Sequence, residues 1–185
     1  MDTKTLRCGL LGRKLGHSYS PAIHERLADY SYRLFEVEPE DLGAFLQEGA
    51  FDGLNVTIPY KKDVIPYCAE LSDTARAIGA VNTIVNRDGK LYGYNTDYAG
   101  FSYLAKAHGV DFADKTVLIL GTGGTHSTVA AVCRDGGARE ILTASRTGRD
   151  GALLYSEAMH RRDVQIIINT TPCGMYPNVG QCLID

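Results

Sequence analysis

Two serines, a strand face with a lysine beyond it, an aspartate and a glycine turn are the features of this chain that could do chemistry. Ser18 and Ser20 stand two apart just before Pro21, where a helix opens. Hydroxyls and free amides at a helix start can hold a carboxylate, or Ser20 can serve as the N-cap and nothing more. Asn55 and Thr57, again two apart, share one face of an extended run while Val56 and Ile58 take the other. That polar face is either solvated or lines a site. Pro59 stops the strand, so Lys61 projects just past its end, where α/β folds put their chemistry; the plainer reading of Lys61 or Lys62 is a solvated lysine opening the next segment. Asp97 precedes a helical pattern, where a carboxylate favours the helix dipole whether or not it does anything else.

The second half offers a different kind of site. Thr116-Val117-Leu118-Ile119-Leu120 is an unbroken apolar run, as expected of a strand buried on both faces, and it leads into Gly121-Thr122-Gly123-Gly124-Thr125. Glycines here let the backbone approach a pyrophosphate that faces the amides and dipole of the following helix; the alternative is only a tight strand-to-helix connection. After the next strand a fold that uses NAD usually carries Asp or Glu for the ribose hydroxyls. This chain has Ser145 and Arg146, with Arg149 close behind, which favours NADP unless these are solvated loop charges. Thr170, in Asn169-Thr170-Thr171-Pro172, follows the carboxyl end of a last apolar run, again a ligand-facing edge. His126 stands where the dinucleotide fingerprint has its third small residue. It reads as a surface helical histidine, or else as a wider helix–strand contact or an imidazole near the phosphates.

These groups need elements to hold them. Periodicity predicts strands at 6–11, 32–37, 54–58, 79–85, 90–94, 116–120, 140–144 and 164–168, with a short edge strand at 153–155. Helices are expected from Pro21 with an apolar face of Ile23, Leu27 and Tyr30, at 41–47 ended near Gly49, and at 62–71 with a bend at Pro66. Further helices are expected at 72–78 capped by Ser72, from Asp97 with Tyr98, Phe101, Leu104 and Ala105 at helix spacing, at 127–135, and for a turn or two at 157–162. Asp88-Gly89 marks a hairpin, and 173–185 has no helix signal.

Bulk properties narrow the classes. The chain has 185 residues, 44% hydrophobic content and a net charge of −3, so a folded core is expected while dispersed Lys and Arg give no footprint for nucleic acid or an anionic membrane. No apolar run reaches the length of a membrane span and the start lacks a signal peptide's apolar region, from which a cytoplasmic protein is expected. Five cysteines, Cys8, Cys68, Cys133, Cys173 and Cys182, are spread without CxxC spacing; we read them as reduced packing thiols, with no metal site.

Several of these signals occur together in one order, and the combination resembles the shikimate dehydrogenase family. The strings are His17-Ser18-Tyr19-Ser20-Pro21 with Ile23-His24, Asn55-Val56-Thr57-Ile58-Pro59-Tyr60-Lys61, Gly79-Ala80-Val81-Asn82-Thr83, Gly93-Tyr94-Asn95-Thr96-Asp97, Gly121-Thr122-Gly123-Gly124, and Asn169-Thr170-Thr171-Pro172 with Gly174-Met175. The resemblance implies an NADP-linked oxidoreductase of the shikimate pathway, leading to chorismate and aromatic amino acids, that interconverts shikimate and 3-dehydroshikimate. It implies Lys61 and Asp97 as the catalytic pair, with Ser18 and Ser20 on the substrate carboxylate and Asn55, Thr57, Asn82 and Asp97 lining the pocket. Gly121, Thr122, Gly123, Gly124, Thr125, Ser145, Arg146, Arg149 and Thr170 are the cofactor residues. The fold expected is α/β: a substrate-binding catalytic domain at 1–100, then a Rossmann-like doubly wound parallel sheet at 101–185 that is incomplete. Family members continue with further strands and with C-terminal helices carrying a substrate-touching glutamine, and none of Gln47, Gln165 or Gln181 sits in a matching context. The expectation is therefore a C-terminally shortened member, monomer or homodimer, either active or binding its ligands without turnover, with quinate as the runner-up substrate.

Overall fold

The computed structural model describes residues 6–184 apart from 17, 28 and 177, and His17 of the first string lies outside them. The chain forms two compact units, Met1–Thr96 and Asp97–Asp185.

In the first unit, strands β1 (Arg7–Gly12), β2 (Ser31–Glu36), β3 (Gly53–Val56), β4 (Glu70–Leu71), β5 (Thr83–Arg87) and β6 (Lys90–Tyr94) make one sheet in the order β2-β1-β3-β5-β6-β4. The β1 strand pairs in parallel with β2 and β3, whereas β5 runs antiparallel to both β3 and β6. The β5–β6 hairpin closes with Arg87 opposite Lys90, and Asp88 and Gly89 take φ of 52° and 79°, the positive values that a two-residue turn matching strand twist demands. Leu11, Leu54, Val56 and Ile84 meet Leu42, Leu46 and Phe51 in the core. The helix α2 (Leu42–Glu48) contributes Leu42 and Leu46 and ends on Gly49 in the left-handed conformation, while α3 (Asp73–Ile78) begins under the Ser72 hydroxyl, which accepts from the Ala75 N–H at 3.2 Å.

Two sequence expectations are corrected here. Residues 62–71 do not form a bent helix: they make turns, a 3₁₀ turn at Ile65–Tyr67, and then β4 parallel to β6. Proline removes one helical donor, and the amides of Ala69 and Ser72 bond instead to the carbonyls of Leu91 and Gly93 at 2.8 and 2.9 Å. The first helix, α1 (Ser20–Leu27), buries none of its residues, and Ile23 and Leu27 are 54% and 68% exposed.

In the second unit, β7 (Thr116–Leu120), β8 (Glu140–Ser145), β9 (Leu153–Leu154) and β10 (Ile166–Asn169) form a wholly parallel sheet in the order β10-β7-β8-β9. Val117 and Ile119 of β7 face one cluster with α4 (Asp97–Ala107) and α5 (Gly124–Asp135), and Leu118 and Leu120 face another with Ala144 and Ala158. Alternating side chains thus find cover on both faces, which is why the strand reads as an unbroken apolar run. Tyr98, Phe101 and Ala105 of α4 pack inward, and Leu104 is 52% exposed. The last helical turn, α6, spans Tyr155–Ala158 instead of 157–162, because the Glu157 carboxylate accepts from the Leu154 N–H at 2.7 Å and starts the helix earlier.

Candidate functional site

Six of the residues singled out in the first unit sit at or beyond strand and helix ends, and side-chain hydrogen bonds tie most of them down. Ser18 lies in a turn, its N–H donating to the Leu15 carbonyl at 2.9 Å, and its hydroxyl accepts from the Ser20 N–H at 3.2 Å. The first helical bond joins the Ile23 N–H to the Tyr19 carbonyl. Ser18 therefore serves the helix start, and Ser20 falls inside the first turn instead of capping it as the sequence suggested.

Sequence reasoning gave no role to Tyr32 of β2. Its hydroxyl donates to Asn55 Oδ1 at 2.7 Å, so one phenol braces a residue 23 positions further along the chain. Burial pushes the phenol up to about 12. The signal available in the sequence was only its place two positions from Leu34 on an expected strand.

Lys61 is held by its neighbours. Tyr60 is 1% exposed and its hydroxyl donates to the Val37 carbonyl; the Lys61 carbonyl accepts from the Val81 N–H at 2.7 Å. A residue whose preceding side chain is core and whose own carbonyl is bonded across the fold has little backbone freedom, and its half-buried side chain starts from a fixed point. Thr57 anchors the preceding strand end through its N–H to the Leu11 carbonyl at 2.9 Å. Asn82 is 7% exposed: Oδ1 accepts from the Thr96 N–H at 2.8 Å and the Thr83 hydroxyl at 3.1 Å, and Nδ2 donates one proton to Thr96 Oγ1 at 2.9 Å.

In the second unit Asp97 is the first residue of α4, where its charge complements the helix dipole. The glycine turn is shaped by backbone. Gly121 has φ of 104°, and a Cβ there would lie 2.7 Å from Thr171 Cγ2 and 3.0 Å from Thr170 Oγ1, so no other residue fits. Its N–H donates to the Ala144 carbonyl at 2.8 Å, and the Thr170 N–H and hydroxyl both reach the Leu120 carbonyl, at 2.9 and 2.7 Å. The ends of β7, β8 and β10 are thereby brought together, and with them Gly121, Ser145 and Thr170. Gly123 caps α5 with φ of −75°, a value any residue adopts, and a Cβ added there meets nothing within 4 Å. Neither strain nor packing requires glycine at that point. Open room in front of helix amides is what a phosphate group needs, so the residues fit a dinucleotide.

Ser145 is 8% exposed and its hydroxyl accepts from the Gly148 N–H at 3.1 Å, shaping the loop that presents Arg146 and Arg149 to solvent. Among the described residues neither guanidinium has an ion-pair partner. His126 is half-buried and its Nε2 lies 2.8 Å from Thr143 Oγ1, so it bridges α5 to β8, unlike the surface histidine the sequence suggested. A cavity of about 310 Å³ lined by Tyr98, Lys106, Phe112 and Asp135 lies at the opposite end of α5 from the glycine turn and holds none of the residues singled out.

Comparison with known proteins gives a consistent answer. Residues 10–84 match the domain family described as shikimate dehydrogenase substrate binding domain. The shikimate dehydrogenase (NADP(+)) of Clostridium beijerinckii is 41% identical over 187 aligned residues, covering 92% of this chain and 69% of the relative. The crystal structure of shikimate dehydrogenase 1 from Peptoclostridium difficile superposes with a TM-score of 0.88 at 38% identity, covering 96% of this chain and 72% of that one. A Thermus thermophilus shikimate 5-dehydrogenase in complex with NADP(H) and shikimate superposes at 0.81 with 31% identity, over 98% of this chain and 74% of the other. With strand-end polar residues in one unit, a glycine turn on a parallel sheet in the other, and relatives of this likeness spanning both, the chain belongs to the shikimate dehydrogenase family.

Proposed function

We propose that this protein interconverts shikimate and 3-dehydroshikimate with NADP as its cofactor. The observation that carries the reading is the 41% identity to a shikimate dehydrogenase (NADP(+)) across 92% of the chain, which takes in both units. Ser18 and Ser20 bind the substrate carboxylate, and Asn55, Thr57 and Asn82 line the rest of the pocket. Lys61 accepts the proton of the substrate 3-hydroxyl in oxidation and returns it in reduction, and Asp97 orients Lys61 and that hydroxyl; removing a positioned acid–base group of this kind costs about a hundredfold or more in rate. The anchoring of Lys61 between a core tyrosine and the Val81 amide supports the assignment, since proton transfer needs the acceptor at a set distance. NADP⁺, when bound, would supply the hydride acceptor for carbon 3. Gly121, Thr122, Gly123, Gly124 and Thr125 hold its pyrophosphate at the start of α5. Arg146 and Arg149, on the loop shaped by Ser145, take the 2′-phosphate, and Thr170 flanks the turn.

The chain works in the cytoplasm as a monomer or homodimer, with domains at 1–100 for substrate and 101–185 for cofactor. Incubating the purified chain with shikimate and NADP⁺ while following the NADPH absorbance band tests the reading, with quinate as the competing substrate. A rise that Lys61→Ala abolishes is expected. No rise above that variant overturns catalysis, and calorimetry with each ligand then tells whether binding persists alone.

A further inference from the structure

Helix α1 docks in an unusual way. Its aliphatic side chains Ile23 and Leu27 point largely to solvent, while its His24 stacks against β2. The imidazole stacks on the Tyr32 ring with centroids 3.8 Å apart and planes 12° from parallel. Tyr30 meets the same imidazole edge-on at 5.8 Å, and its hydroxyl is hydrogen-bonded to His24 Nδ1. The histidine is thus fixed on one side by a hydrogen bond and covers the ring of Tyr32 on another.

What makes the stack consequential is the load on Tyr32. Its single hydroxyl proton goes to Asn55 Oδ1, so the Asn55 NH₂ group keeps its protons for donation elsewhere. A tilt of the ring by a fraction of an ångström moves that bond. We propose that His24 is a positioning residue of the substrate pocket, holding by its stack the phenol that fixes the Asn55 side chain. The inference rests on the reading of Asn55 as a substrate contact. His24 acts on it through Tyr32, and Tyr30 in turn acts through His24.

The test compares the full chain as wild type, His24→Ala and His24→Phe. Loss of the stacked ring in His24→Ala raises the KM and the calorimetric Kd for shikimate about fivefold, with kcat and the KM for NADP⁺ unchanged. His24→Phe, which restores a stacked ring without the Tyr30 hydrogen bond, recovers most of that loss. Unchanged shikimate affinity in His24→Ala overturns the inference, as does a matching fall in kcat and NADP⁺ affinity, which a general loosening of the fold would give. The side-chain amide resonance of Asn55 reads the same positioning without turnover: it moves in His24→Ala and returns in His24→Phe, and an unmoved resonance overturns the inference. If the wild type neither binds nor oxidises shikimate, the functional reading falls instead, and the Asn55 resonance alone decides the role of His24.

Discussion

The two units hold their polar residues by opposite means. In Met1–Thr96 side chains do the bracing: Tyr32 holds Asn55, Asn82 grips Thr96, and Ser18 supports the first amide of α1. In Asp97–Asp185 the backbone does the holding, with Gly121 in a conformation open only to glycine and the strand ends bonded amide to carbonyl around it. The difference fits the ligands proposed for each. A small ring acid with several hydroxyls is told from its analogues by many directed side-chain groups, whereas a pyrophosphate offers oxygens that helix-start amides satisfy whatever the local side chains are.

Substitutions should therefore act differently in the two units. The largest effect expected is on rate: Lys61→Ala lowers turnover about a hundredfold or more while leaving the melting temperature near that of the wild type, checked by NADPH absorbance and calorimetric scans. Next comes Gly121→Ala, where positive φ and the 2.7 Å approach of Thr171 cost about 2 kcal/mol in urea unfolding and NADP⁺ binding falls with it. Gly123→Ala sharpens the contrast. Its Cβ meets nothing in the protein, so stability holds while NADP⁺ affinity drops; equal loss of stability would mean that glycine serves the fold there. Asn82→Ala breaks the side-chain bracing of the first unit and should destabilise by about 1–2 kcal/mol through the stranded Thr96 amide, with a rise in shikimate KM.

The smallest effect concerns the surface. Arg161 bonded to Asp163 at 2.6 Å holds that carboxyl down at about 2 from its usual 3.8. A depressed folded-state value contributes stability above the unfolded value and loses it as pH falls from about 3.8 toward 2, so a slight acid-side loss of stability is expected that Asp163→Asn removes and added salt screens.

Much of this architecture could be read from local pattern. The β7 run, the Asp88-Gly89 hairpin, the Ser72 cap and the glycine turn each carry their cause within a few residues, so sequence reasoning reaches them. Residues 62–71 do not, because the pairing that makes β4 depends on Leu91 and Gly93, far along the chain, and a helical spacing of apolar residues gives no hint of that competition. The same limit hid Tyr32, whose hydrogen-bond partner Asn55 is 23 positions after it, and turned His126 from a surface residue into a bridge to Thr143. Side chains whose value lies in long-range contacts look ordinary in the linear sequence.

The burial of β7 has one more consequence. All five of its residues are no more than 3% exposed, and paired strands lie on both sides. Its amides should be among the last in the second unit to exchange with deuterium, releasing only when the whole unit opens. The turn at Gly121 is then mounted on the slowest-exchanging segment, so little flexibility is left to lose when a dinucleotide settles there, and the entropic penalty of binding falls mainly on the ligand.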